Sequence, residues 1–153
     1  TEAAGYCLVA SATRDDMRLI SVVLGTSSEK AREAASQSLL SYGFRFFESN
    51  KLYSAGESLN STRIWKGEIS ELNLGLENDL YVTIPRGQYK NLDAVMDVSA
   101  NIEAPVQKGQ QLGNVVVTFE GEELVSQPLI ALQSVEQGSF FQRTKDQIIQ
   151  LFQ

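Results

Sequence analysis

The chain has 153 residues, 42% of them hydrophobic, enough apolar material for one ordinary domain or two small ones. Thirteen Lys+Arg against nineteen Asp+Glu give a net charge of -6, which argues against nucleic acid as a partner because phosphate binding needs a basic footprint. With no histidine, Ser-His-Asp and Cys-His catalysis and His-ligated zinc are excluded; the lone Cys7 forbids an internal disulfide and any Cys-rich metal site, so no metal or cofactor is expected.

The first elements are short and patterned. Residues 6–12 (YCLVASA) form an apolar run of strand length, Arg14, Asp15 and Asp16 a polar break, and residues 17–24 (MRLISVVL) a second run ending at Gly25. Two such runs around a tight polar loop predict a β-hairpin. The continuous apolar character of the second run predicts a strand covered on both faces. A helix should follow. Thr26 and Glu29 have capping-box spacing, and residues 28–42 contain no Gly, Pro or β-branched residue. Ala31, Ala34, Ala35 and Leu39 fall on one stripe, predicted to pack on the sheet. Gly43 could end this helix or lie within it, since Phe44, Phe46 and Phe47 follow at once.

After about Glu48 the character changes. Glycines at 56, 67, 75, 87, 109, 113 and 121 separate short runs such as 63–65 (RIW), 80–84 (LYVTI), 94–98 (AVMDV), 114–119 (NVVVTF) and 129–132 (LIAL). Short strands at nearly regular spacing predict a β-sandwich or small barrel, with a hairpin around Gly121. From Ser139 onward a helical period returns. Phe141, Thr144, Ile148 and Phe152 share one stripe, flanked by Leu151. This predicts an amphipathic helix that either packs on its own domain or lies on a membrane surface. No apolar run approaches the roughly 18 residues of a membrane-spanning helix, and the opening residues are not expected to be a signal peptide. The chain opens on Thr1 without an initiator Met, as expected of a mature or trimmed product or of a piece of something longer.

Motifs with catalytic overtones are weak. Ser27 and Lys30 match S-x-x-K, and Ser58/Asn60 and Ser99/Asn101 match S-x-N, but no K-T-G exists. In a serine-rich chain the plainer reading is a helix start with a solvated Lys30. Asn60-Ser61-Thr62 is a glycosylation sequon that carries no meaning in a bacterial protein. Cys7, between apolar neighbours, is expected to be a small core residue and Trp65 a core aromatic. Arg86-Gly87 after Ile84-Pro85 reads as a turn, and Glu122 and Glu123 as solvated hairpin residues. No spacing builds a metal site. The residues themselves therefore supply no active site.

Several stretches, in order over nearly the whole chain, resemble one family. Residues 1–12 (TEAAGYCLVASA) are similar to T-D-A-A-G-Y-N-L-V-A-S-A, residues 39–48 (LLSYGFRFFE) to L-L-T-W-G-F-R-F-F-E, and residues 83–87 (TIPRG) match T-I-P-R-G. Residues 17–25, 104–110 (APVQKGQ) and 127–130 (QPLI) also have counterparts. The family is the low-molecular-mass penicillin-binding proteins of type 5/6, the serine D-alanyl-D-alanine carboxypeptidases of Gram-negative bacteria. Cys7 departs from the family's Asn.

The resemblance implies an α+β chain in three parts. Residues 1–48 would end a penicillin-recognising, β-lactamase-like domain as a hairpin plus helix. Residues 49–138 would form an all-β, sandwich-like second domain. Residues 139–153 would form a truncated amphipathic anchor helix holding the protein on the periplasmic face of the inner membrane through Phe140, Phe141, Ile148, Ile149, Leu151 and Phe152. It also implies that the parent enzyme removes the terminal D-Ala from peptidoglycan pentapeptides through a serine acyl-enzyme and is acylated by β-lactams. The family's catalytic serine, lysine, S-x-N and K-T-G all precede the position of Thr1, so no catalytic residue is expected in this chain, and Ser27 and Lys30 are excluded from that role. Only Thr1, on the strand that pairs with substrate, and Arg32, on the helix, would be substrate-adjacent; a surface salt bridge is the plainer role for Arg32. A hairpin left alone would expose unpaired edges and an apolar face, so the N-terminal portion of the same protein is expected as a companion. The alternative is a non-enzymatic β-rich interaction or spacer module that positions a partner at the membrane.

Overall fold

In the computed structural model, which describes residues 4–140, the two opening runs form strands β1 (Tyr6–Arg14) and β2 (Met17–Thr26), paired antiparallel from Arg14↔Met17 to Tyr6↔Thr26. Asp15 and Asp16 make the two-residue turn with φ of 48° and 62°. Positive φ at both central positions matches the right-handed twist of a hairpin, and Asp tolerates it better than most residues. Side chains alternate between the faces. Met17, Ser21 and Val23 are buried on one, whereas Ile20, Val22 and Leu24 on the other are 63%, 56% and 70% exposed. Among the described residues only one face of β2 has a covering layer; the second layer expected for it is not among them.

That layer is helix α1 (Glu29–Phe46). Its N-cap is Ser28, whose Oγ accepts the Ala31 N–H at 3.1 Å. The expected Thr26/Glu29 capping box does not form, because the Thr26 hydroxyl donates to the Tyr6 carbonyl across the hairpin at 3.0 Å. The packing stripe also differs from expectation. Ser36 and Phe44 are the buried helix residues, while Ala34 and Leu39 are exposed. Small side chains set this choice. The Ser21 and Ser36 hydroxyls meet in the seam, and Gly43 lies so close to Leu19 of β2 that any Cβ would collide with its Cδ1. The helix runs through Gly43 because the absence of a side chain there lets it approach the sheet.

The remainder is β structure. β3 (Phe47–Tyr53) and β6 (Leu80–Pro85) form a two-stranded sheet. β4 (Asn60–Trp65), β5 (Glu71–Gly75), β7 (Leu92–Val98), β8 (Ile102–Glu103), β9 (Gln111–Phe119) and β10 (Glu122–Ala131) form a six-stranded sheet in the order β7-β9-β10-β5-β4-β8. Its pairings are antiparallel except β4–β8. The β9–β10 hairpin turns at Glu120-Gly121, both with positive φ. Ile64, Leu72, Leu74, Leu80, Val115, Val117 and Leu129 belong to the buried core that these strands share. Trp65 is buried, with the Arg63 guanidinium 3.8 Å from its ring centroid.

The chain divides into two compact units. One holds the residues up to Asn50 together with Thr83–Lys90, and the other holds Lys51–Val82 and the residues from Asn91 onward. The described fold is thus mostly β-sheet with one α-helix. The predicted C-terminal helix lies outside the described residues.

Candidate functional site

Among the described residues, Arg32 is the one predicted site residue inside the first unit. It sits on the first turns of α1 with its side chain 28% exposed. Nη1 donates to the Cys7 carbonyl at 3.3 Å, Nη2 to Glu29 Oε1 at 3.3 Å, and the guanidinium lies 5.8 Å from the Tyr6 ring centroid. Nε is buried and has no hydrogen-bond partner among the described residues. The start of β1 therefore carries a cation held by a carbonyl, a carboxylate and an aromatic face. A guanidinium suits a carboxylate ligand by charge and geometry, but here Glu29 occupies one of its donors. Thr1 lies outside the described residues.

The other motifs have structural roles or none. Cys7 is exposed, with its thiol directed to the Ala4 carbonyl at 3.5 Å, which corrects its placement in the core. Apolar neighbours suggest burial, but among the described residues β1 has a covering layer on only one face. Ser27 and Lys30 are exposed at the helix start, and Ser58 and Ser99 are exposed. Glu122 and Glu123 are exposed at the start of β10. Among the described residues no group of three His, Cys, Asp or Glu could hold a metal ion. Of the predicted anchor residues, Phe140 is 71% exposed; Phe141, Ile148, Ile149, Leu151 and Phe152 lie outside the described residues.

Two polar arrangements escaped the sequence reading. Asp79 accepts the Ala55 N–H at 2.8 Å and faces Lys51 Nζ at 3.3 Å. The Ala55 amide, and after it Lys51, holds its carboxyl below the ordinary aspartate value. This ties the loop after β3 to the start of β6. Arg86, at the tip of the Thr83–Lys90 excursion, donates to the last turn of α1 and to the residue that follows it, with Nη2 at 3.2 Å from both Phe44 O and Phe47 O. A helix leaves its last carbonyls without intrahelical partners and favours a cation there. A cavity of about 160 Å3 beside it is lined by Arg14, Asp15, Phe44, Glu48, Asn50 and Arg86. Its two cations and two anions give no net charge selection.

The fold of the chain is shared with known proteins. It superposes on penicillin-binding protein 5 from Haemophilus influenzae with a TM-score of 0.83 and 39% identity, covering 90% of this chain and 40% of that one. It is 42% identical over 153 residues to the D-alanyl-D-alanine carboxypeptidase DacA of Escherichia coli K12, and 44% identical to DacC of the same strain. Each alignment takes in 99% of this chain and 38% of the relative, so the chain spans well under half the length of these carboxypeptidases. Residues 47–137 match the family model described as penicillin-binding protein 5, C-terminal domain. The chain belongs to that family.

Proposed function

We propose that these 153 residues are the C-terminal portion of a serine D-alanyl-D-alanine carboxypeptidase, supplying scaffold, stalk and tether while the reacting groups lie on a preceding segment. The observation that carries this reading is similarity along 99% of the chain to carboxypeptidases of which it spans 38%. The bare face of the β1–β2 hairpin supports it. Val9, Ile20, Val22 and Leu24 form a contiguous apolar surface of the kind that another layer normally covers. The exposed stripe of Leu39, Tyr42 and Phe46 on α1 is a second such surface.

In the parent enzyme a serine hydroxyl attacks the carbonyl of the D-Ala-D-Ala bond of a peptidoglycan stem pentapeptide. The C–N bond breaks, the amine of D-Ala takes up a proton, and an acyl-enzyme ester remains. Water then hydrolyses the ester and regenerates the serine. β-Lactams stop at the ester. The demands are an activated hydroxyl, an oxyanion hole and a cation for the substrate carboxylate. Thr1 would extend the strand that pairs with substrate, and Arg32 would stand near the carboxylate subsite. The tail would bind the periplasmic face of the inner membrane, burying a few hundred Å2 of apolar surface at about 25 cal/mol per Å2.

Intact mass and sequencing of the protein purified from its source tests this reading. A polypeptide carrying an S-x-x-K serine N-terminal to residue 1, or bound to this chain as a separate fragment, supports it. A chain of these 153 residues alone, active on pentapeptide, overturns it. A second reading, an independent spacer module, is favoured by one observation: the second unit has its own buried core and nearly coincides with the residues of the family match.

A further inference from the structure

We infer that Arg86, Gly87 and Glu48 form a latch that straps the Thr83–Lys90 excursion onto the C-terminal end of α1. The sequence neighbours of this segment on both sides belong to the second unit, yet the segment itself belongs to the first. The β3–β6 pairing holds its first residues, Thr83–Pro85, and the contacts beyond that pairing are specific. The backbone N–H of Arg86 donates to the Phe46 carbonyl at 2.8 Å. The Arg86 side chain donates to the Phe44 and Phe47 carbonyls. Glu48, two residues past the helix, completes the clasp: Oε1 accepts the Gly87 N–H at 3.0 Å and Oε2 lies 3.7 Å from Arg86 Nη1.

The turn is built to present these groups. Pro85, Arg86, Gly87 and Gln88 make a β-turn closed by the Gln88 N–H on the Pro85 carbonyl at 3.3 Å, with Gly87 at φ +79°. Glycine at the positive-φ third position gives a type II geometry that other residues would strain. The same turn directs the Arg86 and Gly87 amides toward α1 and Glu48. An exposed Arg–Glu pair alone contributes little. Two carbonyls of the last helical turn, Phe44 and Phe46, and that of Phe47 just past it accept from the side chain and backbone of one arginine, and for the two helix carbonyls the alternative is water at a frayed last turn. The latch therefore acts on two elements together, the excursion and the last turn of α1.

Amide hydrogen exchange on the whole chain tests this, comparing wild type with Arg86→Gln and Glu48→Gln. The expected result for Arg86→Gln is exchange at least tenfold faster in residues 83–90 and 44–47, with β9 and β10 unchanged. Glu48→Gln, which keeps an acceptor for Gly87 but loses the charge, should give a smaller increase confined to the same residues. Unchanged protection in both variants overturns the latch. So does a uniform rise over all amides, which would mark a general loss of stability rather than release of a strap.

Discussion

The hydroxyls of Ser21 on β2 and Ser36 on α1 are hydrogen-bonded to each other in the buried seam between sheet and helix. Each is the other's partner in a place that water does not reach. Such a pair lets the helix pack closely, and it makes each serine depend on the other.

Ser36→Ala should therefore cost more than the loss of one hydroxyl. It leaves Ser21 buried without its partner, a penalty of about 1–3 kcal/mol. The double variant Ser21→Ala/Ser36→Ala removes both polar groups and should cost less than the two single changes added together. A double-mutant cycle by urea denaturation, read on the first unit, measures this coupling. Strictly additive single effects would contradict it.

Asp79 should titrate below the ordinary aspartate value of about 3.9, since the Ala55 amide and Lys51 favour its charged form. A lowered folded value gives stability that is fully present above the unfolded value and is lost as pH falls through the lowered folded one. The side-chain carboxyl carbon, followed by NMR between pH 5 and pH 2, should show this. Lys51→Gln should raise the midpoint toward the ordinary value without reaching it, because the Ala55 amide donor remains. A wild-type midpoint at or above the ordinary value would contradict the geometry.

Tail binding is tested on the whole chain by sedimentation with vesicles of mixed anionic and zwitterionic lipid. Phe152→Asp places a charge on the apolar stripe predicted for residues 139–153 and should reduce the bound fraction severalfold. Equal binding of the two proteins would reject the tether.

Legibility of the fold in the sequence depended on local contrast. The first hairpin is readable because Arg14, Asp15 and Asp16 separate two apolar runs, and the β9–β10 hairpin because Gly121 lies among the charged Glu120, Glu122 and Glu123 between two runs of strand length. β3 was not, since Phe47-Glu48-Ser49-Asn50-Lys51 has the composition of a linker. β5 was missed although Leu72 and Leu74 alternate with Glu71 and Asn73, because five residues are too few to stand out. The packing face of α1 was misread for a physical reason. Apolar spacing predicts a buried stripe through Leu39, but close approach to the sheet selects Ser36 and Gly43 and leaves Leu39 outside. Cys7 was misplaced by the same reasoning. For the candidate site, Arg32 could be named from the resemblance, but its ties to Glu29, Cys7 and Tyr6 could not. The acceptors of Arg86 lie 39 and 42 residues away in sequence, beyond any local pattern.

The most direct test of the proposed division of labour is covalent labelling by a reporter penicillin, read by intact mass. It compares the 153-residue chain with the longer polypeptide of which we propose it is the end. An adduct on the longer polypeptide and none on the 153 residues is the predicted result. A penicilloyl group on any serine between Thr1 and Gln153, or a longer polypeptide that remains unlabelled, would contradict it.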